Sequence, residues 1–282
     1  TKKDSGGSTI GSFTISAGEV VYSEKDYTDT LEGGSGLKVS KVAYSHMMSY
    51  SSYTSSGGGG GGSSIITTNL VLHLNASNSS SYSGSGTTWT DLSGQGNNGT
   101  LENGVSYSST DGGYLIFDGS NDFISFTDSN DFILGTGDFT YETWIQITGS
   151  GTFMRMGSFI NDADTGASPN LTLKTNEIYM YSSLDSGFLL KKLITSSTST
   201  WYHVVFTRVG TDIKLYRNGV LLDTVSNITT NFVDDRLVIG RNHVGTAFAT
   251  GHIAQTRLYK GKGFTDSEVL QNYDATKSTY GY

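Results

Sequence analysis

From Ile65 onward the chain reads as a series of short apolar runs separated by turn residues. NLVLHLN, GGYLIFDG, DFISF, FTYETWIQI, LTLKT, IYMYS, WYHVVFTRV, DIKLYRNGV, RLVIGRN and GHIAQTRLY are rich in β-branched and aromatic residues, and Gly, Asn, Asp or Ser punctuate nearly all of them. This is the pattern of antiparallel strands joined by tight turns. In WYHVVFTR, Tyr202, Val204 and Phe206 fall on one face and His203, Val205 and Thr207 on the other, so both faces carry bulk. Such a strand belongs inside two stacked sheets. Asn218-Gly219 predicts a two-residue hairpin, because a type I′ turn requires positive φ at both central positions. One helix is expected, in TDSEVLQNY. Thr265 and Glu268 stand at capping-box spacing, and Val269, Leu270 and Tyr273 supply an apolar stripe that would close one end of the sandwich.

Residues 1–56 are different. They hold little aliphatic content, and an isolated hairpin of that size is marginal in water, so alone they are expected to be largely disordered. Yet Phe13, Ile15, Val20, Tyr22, Val42, Tyr44, Met47 and Tyr50 are spaced along them. Extended segments of this kind gain order by adding strands to a partner's sheet edge or by filling its grooves. The predicted organisation is an attachment arm over residues 1–56, a Gly/Ser linker over 57–64 containing Gly57 to Gly62, and an all-β domain over 65–282.

Composition narrows the chemistry. The 282 residues include no cysteine, so neither a disulfide framework nor a thiolate zinc site is available. Charged residues make up 16%, below the usual ~25%, and the net charge is −8 with no basic cluster. A phosphate-tracking groove has little to build on, so nucleic acid is not an expected partner. The opening TKKDSGGSTI has no apolar core and no stretch is long enough for a membrane-spanning helix, so the expectation is a soluble chain not exported by its own signal.

An ordered set of motifs then gives a resemblance. WTDLSGQGNNGTL (Trp89 to Leu101), FDGSNDFISF (Phe117 to Phe126), FTYETWIQI, WYHVVFTR with IKLYRNGVLL, LVIGRN and GHIAQTRLYKGKGFTDSEVLQNYDA (Gly251 to Ala275) occur in the order seen in concanavalin A-like, laminin-G-like jelly rolls. The resemblance covers about three quarters of the chain, from near Leu70 to Lys277. It implies an all-β, two-sheet antiparallel jelly-roll sandwich, and it implies no single function, because the fold hosts lectins, glycosidases, adhesion domains and phage virion proteins.

Each chemistry has its own residue test. A retaining glycosidase needs two carboxylates about 5–5.5 Å apart on one strand face. The nearest string, EKDYTD (Glu24 to Asp29), lies in the arm, and Glu142 has no acidic partner two residues away, which reads as a strand residue satisfied by neighbouring hydroxyls. No Gly-x-Ser-x-Gly elbow is present, and the five histidines show no metal-ligand spacing. His203 reads as a structural hydrogen-bonder. Calcium is the one metal carried forward: Asp118, Asn121 and Asp122 surround a glycine turn, and laminin-G-like domains often bind calcium at a sandwich rim, although the same residues are ordinary turn formers. Where many relatives carry an acidic residue, this chain has Ala254 and Gln255. Sugar platforms would come from Phe153, Phe159, Tyr179, Tyr181 and Phe188, or from His243 with Phe248.

The cysteine-free, Gly/Ser/Thr-rich jelly roll with a C-terminal EVLQNYDATKSTYG resembles structural proteins of tailed-phage virions. The first reading is therefore a non-enzymatic virion component of decoration or fibre type. It would assemble in the host cytoplasm, dock on other virion proteins through its arm and display the jelly roll on the virion surface, with homo-oligomers compatible with that role. The second is a glycan-binding adhesion module that recognises a host surface glycan. A polysaccharide hydrolase is a remote third.

Overall fold

The computed structural model describes residues 2–3, 9–11, 64–149, 153–160, 169–182 and 187–282. The chain divides into two units, Thr1–Gly60 and Gly61–Tyr282. In the first unit β1 (Lys2–Lys3) pairs antiparallel with β2 (Thr9–Gly11). The eight arm positions from Phe13 to Tyr50 named above, and Gly57 to Gly62, lie outside the described residues.

The second unit contains β3 (Leu70–Asn75), β4 (Thr88–Trp89), β5 (Gly99–Glu102), β6 (Ser106–Ser108), β7 (Tyr114–Asp118), β8 (Phe123–Ser125), β9 (Phe139–Ile147), β10 (Phe153–Ile160), β11 (Asn170–Lys174), β12 (Glu177–Ser182), β13 (Gly187–Leu193), β14 (Trp201–Val209), β15 (Asp212–Arg217), β16 (Val220–Val225), β17 (Arg236–Ile239) and β18 (Thr250–Lys260), then the helix α1 (Asp266–Thr276). One sheet runs β13-β12-β11-β10-β17-β8-β5-β4. The other runs β16-β15-β14-β9-β18-β7-β6, with β3 also paired to β18. Every pairing among the described strands is antiparallel, and the two sheets form the expected sandwich.

Period-two alternation builds the core. Met154, Leu171, Leu173, Ile178 and Met180 of the β10 sheet join Tyr141, Ile145, Ile147, Tyr202, Val204 and Phe206 of the β9 sheet in one buried cluster. Each such side chain contributes roughly 1.5–3 kcal/mol by leaving water. Asn218 (φ 53°) and Gly219 (φ 78°) make the turn between β15 and β16, both with the positive φ that a type I′ turn demands.

The capping box forms as expected. Thr265 Oγ1 accepts from the Glu268 amide at 3.3 Å, and Glu268 Oε2 accepts from the Thr265 amide at 2.9 Å. The position of α1 differs from the sequence reading: it covers the outer face of the β9 sheet instead of an end of the sandwich. Val269 packs with Val205, Tyr216, Tyr259 and Phe264, and the Tyr273 ring lies 5.8 Å from Trp144, while Leu270 points to solvent. The cause is on β14, whose outward residues Trp201, His203 and Val205 are bulky and need a cover.

Candidate functional site

Beneath α1 lies a charged network that is closed to solvent. Glu142, in mid-β9, is fully buried. Its Oε1 accepts from Arg257 Nη1 at 2.6 Å and from Asn272 Nδ2 at 2.9 Å, and His203 Nε2 lies 3.2 Å from Oε2. Burial by itself raises this carboxyl, but the Arg257 charge and the bonds from His203 and Arg257 outweigh it and hold the group down at about 2. The expectation of hydroxyl partners is thus corrected: the principal partners are a guanidinium, an amide and an imidazole. His203 is a structural hydrogen-bonder, as read from the sequence. A carboxylate neutralised and sealed under a helix has no access to a substrate.

The outer face of the β10 sheet is built differently. Phe153 and Arg155 on β10, Asn170 and Thr172 on β11, Tyr179 and Tyr181 on β12 and Phe188 on β13 alternate with the core residues and so face outward. Register sets Arg155 beside Thr172, Thr172 beside Tyr179, Asn170 beside Tyr181 and Tyr181 beside Phe188. Arg155, Asn170, Tyr179, Tyr181, Phe188, Asn242 and His243 line a cleft of about 330 Å³. The last two belong to the β17–β18 loop, which Asn242 ties by accepting the Thr246 and Ala247 amides at 2.9 and 3.0 Å. That loop starts at Gly240, whose φ of 92° and position 2.6 Å from Phe117, measured at an added Cβ, leave no room for a side chain.

Aromatic and polar groups divide the cleft between them. Phe188 is 51% exposed, with Tyr179 and Tyr181 edge-on to it at 5.1 and 5.6 Å. Arg155 Nη1 donates to Thr172 Oγ1 at 2.7 Å and to Tyr179 Oη at 3.2 Å. Asn170 is only 2% exposed, yet neither its Nδ2 nor its Oδ1 has a hydrogen-bond partner among the described residues. A buried amide left so costs about 1–3 kcal/mol, and native folds keep few of them. None of the described lining residues is a carboxylate. Nearby Glu177 is taken up by Lys174 at 2.8 Å and Lys191 at 2.7 Å, whose hydrogen bonds lower its carboxyl.

The structure therefore brings together four of the sequence-predicted aromatic platforms, Tyr179, Tyr181, Phe188 and His243, and disperses the others. Phe159 is in the core, Phe153 lies beside the cleft under the Arg155 guanidinium at 5.1 Å, and Phe248 pairs with Arg241 across its own loop. Arg155 and Asn170 were not anticipated. Asp118, Asn121 and Asp122 form a turn between β7 and β8. Asp122 Oδ2 accepts the Asp118 amide at 3.1 Å, Asp118 Oδ1 accepts the Ser120 amide at 2.7 Å, and the Asn121 carbonyl accepts from Asn103 Nδ2. Calcium needs roughly six to eight converging oxygens. One oxygen of each carboxylate here serves the backbone, and the described residues bring together no group of three or more His, Cys, Asp or Glu able to hold a metal ion.

A larger cavity of about 610 Å³ opens on the β9 sheet side among Asp111, Gln146, Trp201, Tyr280 and Tyr282. Most of its groups already serve one another. Trp201 Nε1 donates to Asp111, Gln146 meets His252 at 2.7 Å, and Tyr280 stacks on Trp144 at 4.2 Å. The smaller cleft is the better candidate because both polar atoms of the Asn170 amide and Arg155 Nε in its wall are buried without a hydrogen-bond partner among the described residues, against Tyr280 Oη alone in the larger cavity.

A family profile of the concanavalin A-like lectin/glucanases superfamily matches residues 118–269, more than half of the chain. The chain belongs to this superfamily. No curated protein matches it in sequence. As a superfamily member it is similar in structure to the receptor binding domain of botulinum neurotoxin C/D mosaic serotype, with 16% identity and a TM-score of 0.58 over 74% of this chain and 52% of that one. It is similar to the botulinum neurotoxin serotype D ligand binding domain in complex with N-acetylneuraminic acid, with 16% identity and a TM-score of 0.57 over 74% and 51%. It is also similar to domain 4 of AbnA, a GH43 extracellular arabinanase from Geobacillus stearothermophilus, in complex with arabinotriose, with 16% identity and a TM-score of 0.56 over 73% and 98%. The chain spans about half the length of the neurotoxin domains and nearly all of the arabinanase domain. At these identities the likeness establishes the shared fold of the superfamily.

Proposed function

We propose that the jelly roll is a non-catalytic glycan-binding module whose sugar site is the cleft on the outer face of the β10 sheet. The observation that carries this reading is the buried, unpartnered Asn170 amide beside the half-exposed Phe188 ring. A sugar ring has an apolar C–H face and a rim of hydroxyls. It therefore suits a site in which aromatic surface lies against a few fixed polar groups. A volume near 330 Å³ fits the end of a chain or a short stretch of it. Two structural neighbours whose complexes contain N-acetylneuraminic acid and arabinotriose support the choice of ligand class. The sealing of Glu142 and the lack of a carboxylate among the described cleft residues support the absence of hydrolysis.

A glycan array probed with the full chain, followed by calorimetry on the hits, tests the proposal. Tyr181→Ala and Phe188→Ala should each weaken binding by roughly tenfold with an unchanged far-ultraviolet circular dichroism spectrum. A silent array, or variants that bind like the parent, would refute it. The virion role expected from the sequence concerns the arm and is compatible with a displayed sugar-binding domain. If both hold, deleting residues 1–50 abolishes incorporation into a particle while sugar binding persists.

A further inference from the structure

We infer that the sugar entering this cleft carries a carboxylate and that Arg155 receives it. The inference rests on the cleft being the sugar site. It goes further by naming the chemical class of the ligand.

Arg155 is held in place but left incomplete. Its Nη1 is bonded to Thr172 and Tyr179, and its guanidinium sits 5.1 Å from the Phe153 ring centroid, so the planar group has a set orientation. The Nε–Nη2 edge makes no hydrogen bond among the described residues, and Nε is buried. That edge is the one that forms two parallel N–H bonds with a carboxylate. The two buried arginines Arg208 and Arg257 have their charge met within the fold. Arg208 donates through Nε, Nη1 and Nη2 to the carbonyls of Gly210, Gly135, Thr230 and Ile228, and the charge of Arg257 is met by Glu142. Arg155 has no such countercharge among the described residues. The acidic side chain described on this face, Glu177, is already shared by two lysines.

Asn170 supplies the neighbouring specificity. Its amide can both donate and accept, which suits a hydroxyl or an N-acyl group next to the acid. Overall charge sets the form of the acid. At −8 the chain repels polyanions at a distance, so the match is a single carboxylate on an otherwise neutral sugar chain.

Calorimetry with the full chain decides the matter using pairs that differ only in charge: cellobiouronic acid against its methyl ester, and 3′-sialyllactose against its methyl ester, with 3′-sulfolactose as a tetrahedral anion. At least one carboxylated member should bind roughly tenfold or more tighter than its neutral counterpart and tighter than the sulfate. Arg155→Gln should abolish that difference, and Arg155→Lys should restore only part of it, because a lysine cannot offer the planar pair. Equal binding of charged and neutral members overturns the inference and leaves the sugar site standing. A sulfate bound as tightly as the carboxylates overturns the choice of carboxylate. If none of these sugars binds and the array is also silent, the sugar site itself is wrong. The comparison within each pair uses the parent protein, so it holds even if a variant fails to fold.

Discussion

The two sheets of this sandwich both carry charged groups on their outer faces, and they treat them in opposite ways. On the β9 sheet, Glu142, Arg257, His203 and Asn272 bond to one another under α1 and are closed to solvent. On the β10 sheet, Asn170 is nearly as deep and Arg155 is half-buried, yet they hold unused donors and an unused acceptor at the wall of an open cleft. What separates the two faces is whether the charge is paired: Arg257 meets Glu142 even though its Nε makes no hydrogen bond, whereas Arg155 meets no carboxylate among the described residues. A satisfied network fixes the helix to the sheet, whereas an unsatisfied one is a standing cost that a ligand relieves.

The sharpest break of this comparison is to unbalance the sealed side. Glu142→Ala leaves Arg257 with an uncompensated buried charge and removes one of the two acceptors of Asn272 Nδ2, so stability should fall by about 3–5 kcal/mol. Urea denaturation measures it. Sugar affinity of the remaining folded protein should not change. A loss below about 1 kcal/mol would mean that the network is as exposed as an ordinary surface pair.

Acid should open the same face in two steps. His73 is pushed down to about 4, by burial first and by the Arg257 charge second, from an ordinary 6.5. Its unfolded form takes up a proton first, so stability is complete above about pH 6.5 and declines as pH falls toward 4, by at most about 3 kcal/mol. Burial lowers His252 in the same direction. Glu142, held at about 2, contributes fully above about pH 4.5 and loses that contribution as pH falls through 2. Urea midpoints followed from pH 7 to 3 should show the upper decline, and His73→Gln should flatten it. A profile unchanged in the variant would show that His73 does not titrate differently on folding.

How far these faces were legible depends on how regular their strands are. β9, β14 and β18 are long and alternate cleanly, and the Asn218-Gly219 turn and the Thr265/Glu268 cap carry their geometry in their residue types. β10 and β13 escaped the pattern. FMRMGSFI is interrupted by Gly157 and Ser158, GFLLKKL ends in charges, and both strands pair with register shifts. The shift between Arg155 and Gly157 also explains the misplacement of Phe159. Period two counted from Phe153 points it outward, but the irregularity reverses the parity and sends it into the core. Arg155 and Asn170 gave no signal at all, because a polar residue on a strand is ordinary until its partners are known. The cover provided by α1 was hidden for a similar reason: an amphipathic stripe predicts burial without naming the face it buries.

Filling the gap at Asn170 tests the open side with a smaller effect and the opposite sign. Asn170→Leu removes two unpaired polar atoms while keeping the shape, so stability should rise by about 1 kcal/mol. Sugar binding should weaken by roughly tenfold or more. This is the exchange of stability for function expected at a site that waits for a ligand. Chemical denaturation and calorimetry on the same preparation read both. A loss of stability would show that the amide already has a partner and belongs with the sealed class.

The smallest effect returns to the helix, where the two faces can be tested for independence. Thr265→Ala removes the acceptor for the Glu268 amide and with it half of the capping box, and such caps contribute about 1 kcal/mol. The other half, Glu268 Oε2 to the Thr265 amide, survives because it uses the backbone of residue 265. Glu268 also keeps its bond to Lys262 at 2.5 Å, so α1 should fray at its first turn without detaching. Val269 and Asn272, further along the helix, should then still cover Val205 and Glu142. A melting temperature lowered by a few degrees with unchanged sugar affinity would show that α1 seals its own face and does nothing for the other. If affinity instead drops in step with the cap, strain passes through the core from one sheet to the other. The open face would then owe its geometry to the sealed one.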